Sequence, residues 1–333
     1  MKNFILPLML GLLVLVYFLG PQTKQFDADD KLPNLDINIE EAIKFVSYKE
    51  KQASIKSGNE SYFLFADSVP KKKPISVLYL HGFAASPFEG DPVHKWFAKQ
   101  YDLNLYVPRL AHHGIIGGNA MLDLTANSLW ESAKEAYLIA KTLGDSVIII
   151  GTSTGCTLAL MLAARYPEIK GLVLLSPNIK IKDPAAFVLN NPWGLNIARL
   201  IIGSDSLTFQ NEPEFGKYWY NSYRLESTAQ LQELLEKNMT IETFAKVNKP
   251  TLTLYYFKDK DHCDQMVNTD KIVWMHQNLG TSQNAKRLVN LPEAGDHILG
   301  NPIRSKDIAG VQREMLTFSQ EILAMEFVKE KMF

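Results

Sequence analysis

The 333-residue sequence predicts an α/β fold: a mostly parallel central sheet, helices on both faces, and a helical cap inserted between sheet strands. Three observations predict it. Short apolar runs alternate with helical runs along most of the chain, and parallel strands need such crossovers. The apolar runs, among them Ser76–Leu80 (SVLYL), Val147–Ile150 (VIII) and Leu172–Leu175 (LVLL), are continuous rather than alternating, the pattern of strands covered on both faces. One interval, from about Pro177 to Lys249, carries no clear strand and breaks the rhythm.

Each element follows from its residues. Ile39 to about Lys51 has Ile39, Ala42, Ile43 and Val46 at helical spacing, an amphipathic helix packed on the globular part. Tyr62–Phe65 reads as an early strand and Ser76–Leu80 as a buried one. Phe88–Gln100 reads as a helix, and Leu103–Val107 as a strand stopped by Pro108. Thr125 caps a long helix that ends near Gly144. Val147–Ile150 is a central strand, Thr154–Arg165 a helix stopped by Pro167, and Leu172–Leu175 a further strand. After the interrupted interval come strands at Leu252–Phe257 and Arg287–Leu291, then a final helix from about Lys306. The interval itself holds Trp193, Phe209, Phe215, Tyr218, Trp219, Tyr220 and Tyr223 and reads as several short helices. These aromatics either line a pocket or form the small core of the cap.

Composition narrows the function classes. Hydrophobic residues make up 46% of the chain, enough for a large core and too many for a disordered one. Lys plus Arg is 35 against 36 for Asp plus Glu, so a nucleic-acid partner would lack its main driving force. Cys156 and Cys263 are too few for a disulfide scaffold and form no CxxC motif. A single bridge between them stays open, since spacing sets no geometry. The basic run Lys71–Lys73 reads as a solvated turn.

Phe4–Gly20 contains no charge. As a helix it would span about 25 Å, slightly short of a hydrocarbon core of about 30 Å. Residues 1–20 read as a signal anchor or a cleaved signal peptide, followed by a polar linker over 21–35. Phe18-Leu19-Gly20 fits a small-residue cleavage site poorly, which favours the anchor. Either way the remainder is expected to be membrane-anchored or exported, with its folded domain outside the cytoplasm.

The chemistry centres on Gly151-Thr152-Ser153-Thr154-Gly155, a G-x-S-x-G between the strand VIII and a helix. A serine on that sharp turn stands above the sheet, and the glycines avoid collisions with neighbouring backbone. The helix N-terminus behind it offers free N–H groups to a developing oxyanion. His81-Gly82-Phe83 follows the strand SVLYL. With these two motifs the chain resembles the α/β-hydrolases over about residues 60–330, and within them the monoacylglycerol lipases and lysophospholipase-like carboxylesterases with a helical cap. The Pro108-Arg109-Leu110…His113-Gly114 segment and the position of the cap carry the narrower likeness.

The resemblance implies a hydrolase domain over 36–333 with the cap at about 177–249, and the chain order serine, acid, histidine. It implies Ser153 as nucleophile, His297 as general base, and oxyanion N–H groups on Phe83 and Thr154. The acid follows the strand TLTLYYF; Asp264, in Asp264-Gln265-Met266-Val267, fits the family form, with Asp261 in contention. His81 and the His112-His113 pair are read as structural. No metal and no cofactor is implied. The expected activity is serine ester hydrolysis through an acyl-enzyme on a small-molecule ester, one from a lipid included. A peptidase, thioesterase or acyltransferase would use the same triad, and a catalytically silent binding protein would keep the fold.

Overall fold

A computed structural model describes residues 2–327. Met1 and residues 328–333, the outer ends of the predicted leader and hydrolase domain, lie outside the described residues. The strands are β1 (Tyr62–Leu64), β2 (Lys73–Leu80), β3 (Asn104–Val107), β4 (Gly144–Thr152), β5 (Ile169–Leu175), β6 (Ser206–Thr208), β7 (Ser222–Arg224), β8 (Thr251–Tyr255) and β9 (Lys286–Asn290). The helices are α1 (Lys2–Phe18), α2 (Ile39–Lys51), α3 (Val93–Gln100), α4 (Ala126–Leu143), α5 (Thr154–Ala163), α6 (Gly194–Ile202), α7 (Pro213–Tyr218), α8 (Leu225–Asn238), α9 (Ile241–Lys246), α10 (Thr269–Asn278) and α11 (Ile308–Glu321).

Seven strands form the main sheet in the order β1-β3-β2-β4-β5-β8-β9. Only β1 runs antiparallel, at one edge. Side chains on one strand alternate between faces, and here both faces are apolar. Val147 and Ile149 of β4 join Leu172 and Leu174 of β5 in the core beneath α2, α4, α5 and α8. Ile148 and Ile150 join Val173 and Leu175 in the opposite core beneath α3 and α11. Fully burying Phe97, Phe244 or Phe318 contributes roughly 1.5–3 kcal/mol each.

The helix boundaries show their local causes. Asn38 caps α2 in a reciprocal box with Glu41, and Thr125 caps α4 through the Ser128 N–H. The expected helix over Phe88–Gln100 is two pieces, a 3-10 turn at Pro87–Gly90 and then α3. Pro92 stands between them and has no N–H to carry the helix through.

The interval without a clear strand contains α6 to α9 and also a two-stranded antiparallel sheet of β6 and β7, with α7 between the strands. Each of these strands has three residues, with a single apolar or aromatic centre (Leu207, Tyr223) between polar neighbours. That is too short to show a period of two. Trp219 and Tyr223 are buried, whereas Trp193 and Phe209 are about one-third or more exposed.

Residues 21–35, expected as a linker, run against the helical face. The Gln230 amide donates to Lys24 O at 3.0 Å, the Trp130 indole to Asp29 O at 3.0 Å and the Tyr166 hydroxyl to Asp30 O at 2.8 Å. Lys134 Nζ donates to Lys31 O at 2.7 Å. The preceding α1 exposes Leu10, Leu12, Val14 and Leu15. No helix among the described residues is long and apolar enough to cross a membrane.

Candidate active site

The strand ends place the chemistry. In a parallel sheet, residues that follow different strands gather at the same carboxyl edge. Here those residues are Gly82 after β2, Ser153 after β4, Asp264 after β8 and His297 after β9.

Ser153 has φ 54° and ψ −115°, a conformation costing of order 1–3 kcal/mol that persists only where surroundings enforce it. Hydrogen bonds do so. Ser153 N–H donates to Leu175 O at 2.9 Å, and Ser153 O accepts from the N–H groups of Cys156 at 3.0 Å, Asn178 at 3.1 Å and Thr157 at 3.4 Å. A Cβ on Gly155 would lie 1.9 Å from Leu80 O, and one on Gly151 would lie 2.8 Å from Cys156 N. Both flanks of the serine therefore require glycine for want of space.

The turn after β2 packs against this elbow. A Cβ on Gly82 would fall 3.1 Å from Ser153 Cβ. Among the described residues, neither the Phe83 nor the Thr154 backbone N–H meets an acceptor. His81 and His113 hold the turn in shape. Leu110 N–H donates to His81 Nε2 at 3.0 Å, and Ala84 N–H to His113 Nε2 at 3.1 Å. Burial drives His81 well below the usual histidine range and His113 down to about 4, so both stay neutral. His112, at φ 61°, precedes His113 in the segment after β3.

The candidate acid and the candidate base lie in direct contact. His297 Nδ1 lies 2.6 Å from Asp264 Oδ2. The Asp264 side chain is buried, and its Oδ1 accepts the N–H groups of Met266 at 2.8 Å and Val267 at 3.1 Å. Asp261, the other candidate, is exposed on the preceding turn, where its N–H donates to Asp259 Oδ1. Burial acts to lower the basicity of His297. The charge and hydrogen bond of Asp264, with lesser contributions from Glu89 and Asp296, outweigh it and leave the imidazole above its ordinary value. Asp296 itself turns away and accepts the Ile298 N–H.

Both cysteines are free. Cys156 Sγ donates to Gly151 O at 3.0 Å within the elbow, while Cys263 Sγ accepts from Lys182 Nζ at 3.2 Å. No Cys156–Cys263 disulfide forms.

One acidic residue at the site was not singled out by sequence reasoning. Glu89 is 2% exposed, and its Oε2 accepts the Gly82 N–H at 2.6 Å. The signal was an acid inside the otherwise uncharged Ser86-Pro87-Phe88-Glu89-Gly90 immediately after the turn, where a helix start was expected.

The cap closes over the turn. Tyr220 N–H donates to Ala84 O at 2.8 Å, and the Phe83 ring meets Tyr223 edge-on at 5.3 Å between centroids. Phe88 stacks on Tyr218 and Phe215 on Trp219. These aromatics are thus largely the packing between cap and turn.

Comparison with known proteins agrees with this architecture. The chain is 28% identical over 244 residues to a thermostable monoacylglycerol lipase from Bacillus sp. (strain H-257), covering 72% of this chain and 88% of that one. Among solved structures it is similar to a metagenome-derived lipolytic enzyme from the study of LipS and LipT, with a TM-score of 0.62 and 18% identity over 79% of this chain and 98% of that chain. It is also similar to the monoacylglycerol lipase of Paleococcus ferrophilus, with a TM-score of 0.52 and 14% identity over 77% and 99% of the two chains. The model of the alpha/beta hydrolase family matches residues 77–304, from β2 through the loop that carries His297. With a seven-stranded sheet, a strained G-x-S-x-G elbow and that match over most of its length, this chain belongs to the alpha/beta hydrolase family.

Proposed function

We propose that the protein is a serine ester hydrolase with Ser153 as nucleophile, His297 as general base and Asp264 as its orienting acid. The observation that carries this reading is the 2.6 Å contact between His297 and Asp264 at the sheet edge that also bears the strained Ser153 elbow. In the proposed reaction His297 takes the Ser153 proton as Oγ attacks the ester carbonyl. The oxyanion accepts hydrogen bonds from the Phe83 and Thr154 N–H groups. The imidazolium, steadied by Asp264, then returns the proton to the departing alcohol. Water, deprotonated by the same histidine, releases the acid from the acyl-enzyme. The relatives named as monoacylglycerol lipases favour a small ester with a lipid acyl chain.

Hydrolysis of p-nitrophenyl esters from C2 to C16, beside Ser153→Ala, tests this. Turnover that depends on Ser153 is expected, with a chain-length optimum that sizes the acyl pocket. No serine-dependent turnover across the series would overturn the ester reading.

We further propose that α1 lies at a lipid surface with the hydrolase domain outside the cytoplasm. Its support is the exposed apolar surface of α1 and the Trp193 indole, which donates to Val16 O at 3.0 Å and so ties α1 to the cap. Cell fractionation of the full chain against one beginning at Pro21 tests it. Only the full chain is expected in the membrane pellet; equal recovery in the soluble fraction would contradict it. A mature protein whose sequenced N-terminus follows Gly20 would assign the segment as a cleaved leader.

A further inference from the structure

The buried carboxylate of Glu89 lies between the oxyanion turn and the cap. Oε2 accepts the Gly82 N–H at 2.6 Å and the Tyr79 hydroxyl at 3.3 Å. Oε1 accepts the indole N–H of Trp219, a cap residue, at 3.3 Å. Gly82 is the residue before Phe83, and a Cβ on Gly82 would be 3.0 Å from Glu89 Oε1 and 3.1 Å from Ser153 Cβ. Carboxylate, turn and nucleophile are packed without slack. We propose that Glu89 is a positioning residue for the hydrolytic reaction: one carboxylate holds the oxyanion turn by the Gly82 N–H and the cap by the Trp219 indole, so the cap and the oxyanion donors are set together. The inference rests on the serine hydrolase reading and extends it beyond the triad.

The chemistry favours a charged carboxylate in this role. Three donors converge on it, and two of them, the Gly82 N–H and the Trp219 indole N–H, cannot accept, so a protonated acid would have only the Tyr79 hydroxyl oxygen, which also bonds Thr152, to receive its O–H. Burial opposes the charge, the Gly82 N–H, His297, the Trp219 indole and the Tyr79 hydroxyl act the other way, and the balance leaves the carboxyl raised to about 7. The titratable groups facing it are Tyr79 from β2, Cys156 from α5 and His297 from the loop after β9. Glu89 in turn favours the imidazolium of His297. The active form therefore has Glu89 charged and His297 neutral, and both are reached by losing a proton as pH rises.

Two variants test the proposal on the full chain, by kcat and KM for a p-nitrophenyl ester as a function of pH. Glu89→Gln sets an amide NH2 against either the Gly82 or the Trp219 donor and removes the charge facing His297. It is expected to lower the plateau kcat roughly tenfold to a hundredfold with little change in KM, and to move the acid limb to lower pH. Trp219→Phe removes the cap donor while keeping an aromatic ring against Phe215. It is expected to lower kcat a few-fold and move the acid limb to higher pH, because Glu89 then ionises later. In the double variant the two losses are expected to be less than multiplicative, since they share one carboxylate. A merely structural role would lower the plateau without these opposite displacements. Wild-type plateau and acid limb in a folded Glu89→Gln protein would overturn the proposal. Should that variant fail to fold, Trp219→Phe decides alone: a lowered kcat with the upward displacement supports the proposal, and wild-type kinetics overturn it. Absence of Ser153-dependent turnover in the wild type would instead remove the serine hydrolase reading, and this inference with it.

Discussion

The elbow and the cap are built on opposite terms. At the elbow, backbone meets backbone: a Cβ on Gly155 would penetrate to 1.9 Å of Leu80 O, and Ser153 is held at a positive φ by bonds to β5 and the chain beyond it. In the cap, α6 turns Leu200 and Ile201 to solvent at 84% and 79% exposure, and the two paired strands have only three residues each, with α7 between them. Atoms that must be positioned to within about 0.5 Å sit where the chain has no freedom to move. The surface that would meet substrate sits on short elements with few constraints. The contrast puts the largest mutational effects on reaction rate at the sheet edge and leaves the outer cap tolerant.

The sharpest test of that contrast is at the nucleophile. Ser153→Ala is expected to cut ester turnover by about 10⁶ while leaving the fold intact, measured by kcat beside the circular dichroism spectrum. Next comes the acid. Asp264→Asn should cost about 10⁴ in kcat, because His297 loses both its tautomer and the stabiliser of its imidazolium. Asp261→Asn, only three residues away but exposed, should leave kcat near wild type. Comparable losses in the two would break the assignment of the acid. A pH profile gives a smaller effect with a definite sign. His297 is a base only when neutral, and Asp264 raises its pKa. The acid limb of kcat/KM should therefore lie above the ordinary histidine value of about 6.5, with activity rising through it. At the tolerant end, Leu200→Ser and Ile201→Ser should change stability by no more than about 0.5 kcal/mol in urea unfolding, since neither side chain is buried. A loss of several kcal/mol would mean that this face of α6 is covered.

How far the sequence could be read follows the same division. β4 and β5 were legible because VIII and LVLL leave no polar face, and the elbow because Gly151 and Gly155 bracket Ser153 between a strand and a helix. His297 was singled out by its place after the strand RLVNL together with the chain order that the family resemblance implies. Asp264 and Asp261 both lie in the loop after β8, and only the fold separates them, by burying one against His297 and exposing the other. The small sheet of β6 and β7 was hidden because three residues cannot display a period. Glu89 was hidden for a different reason. Its role depends on Gly82, seven residues earlier, and on Trp219, in another part of the chain, and neither partner is visible from local pattern.

The central claim is that Ser153 is a nucleophile activated by His297 and Asp264. The most direct measurement is the reaction of the full chain with a fluorophosphonate, read by intact mass and by peptide mapping. The account predicts one adduct per chain, on the peptide that contains Ser153, with labelling slowed severely in Asp264→Asn and unaffected in Asp261→Asn. No adduct on the wild type, or an undiminished adduct on Ser153→Ala, would contradict it.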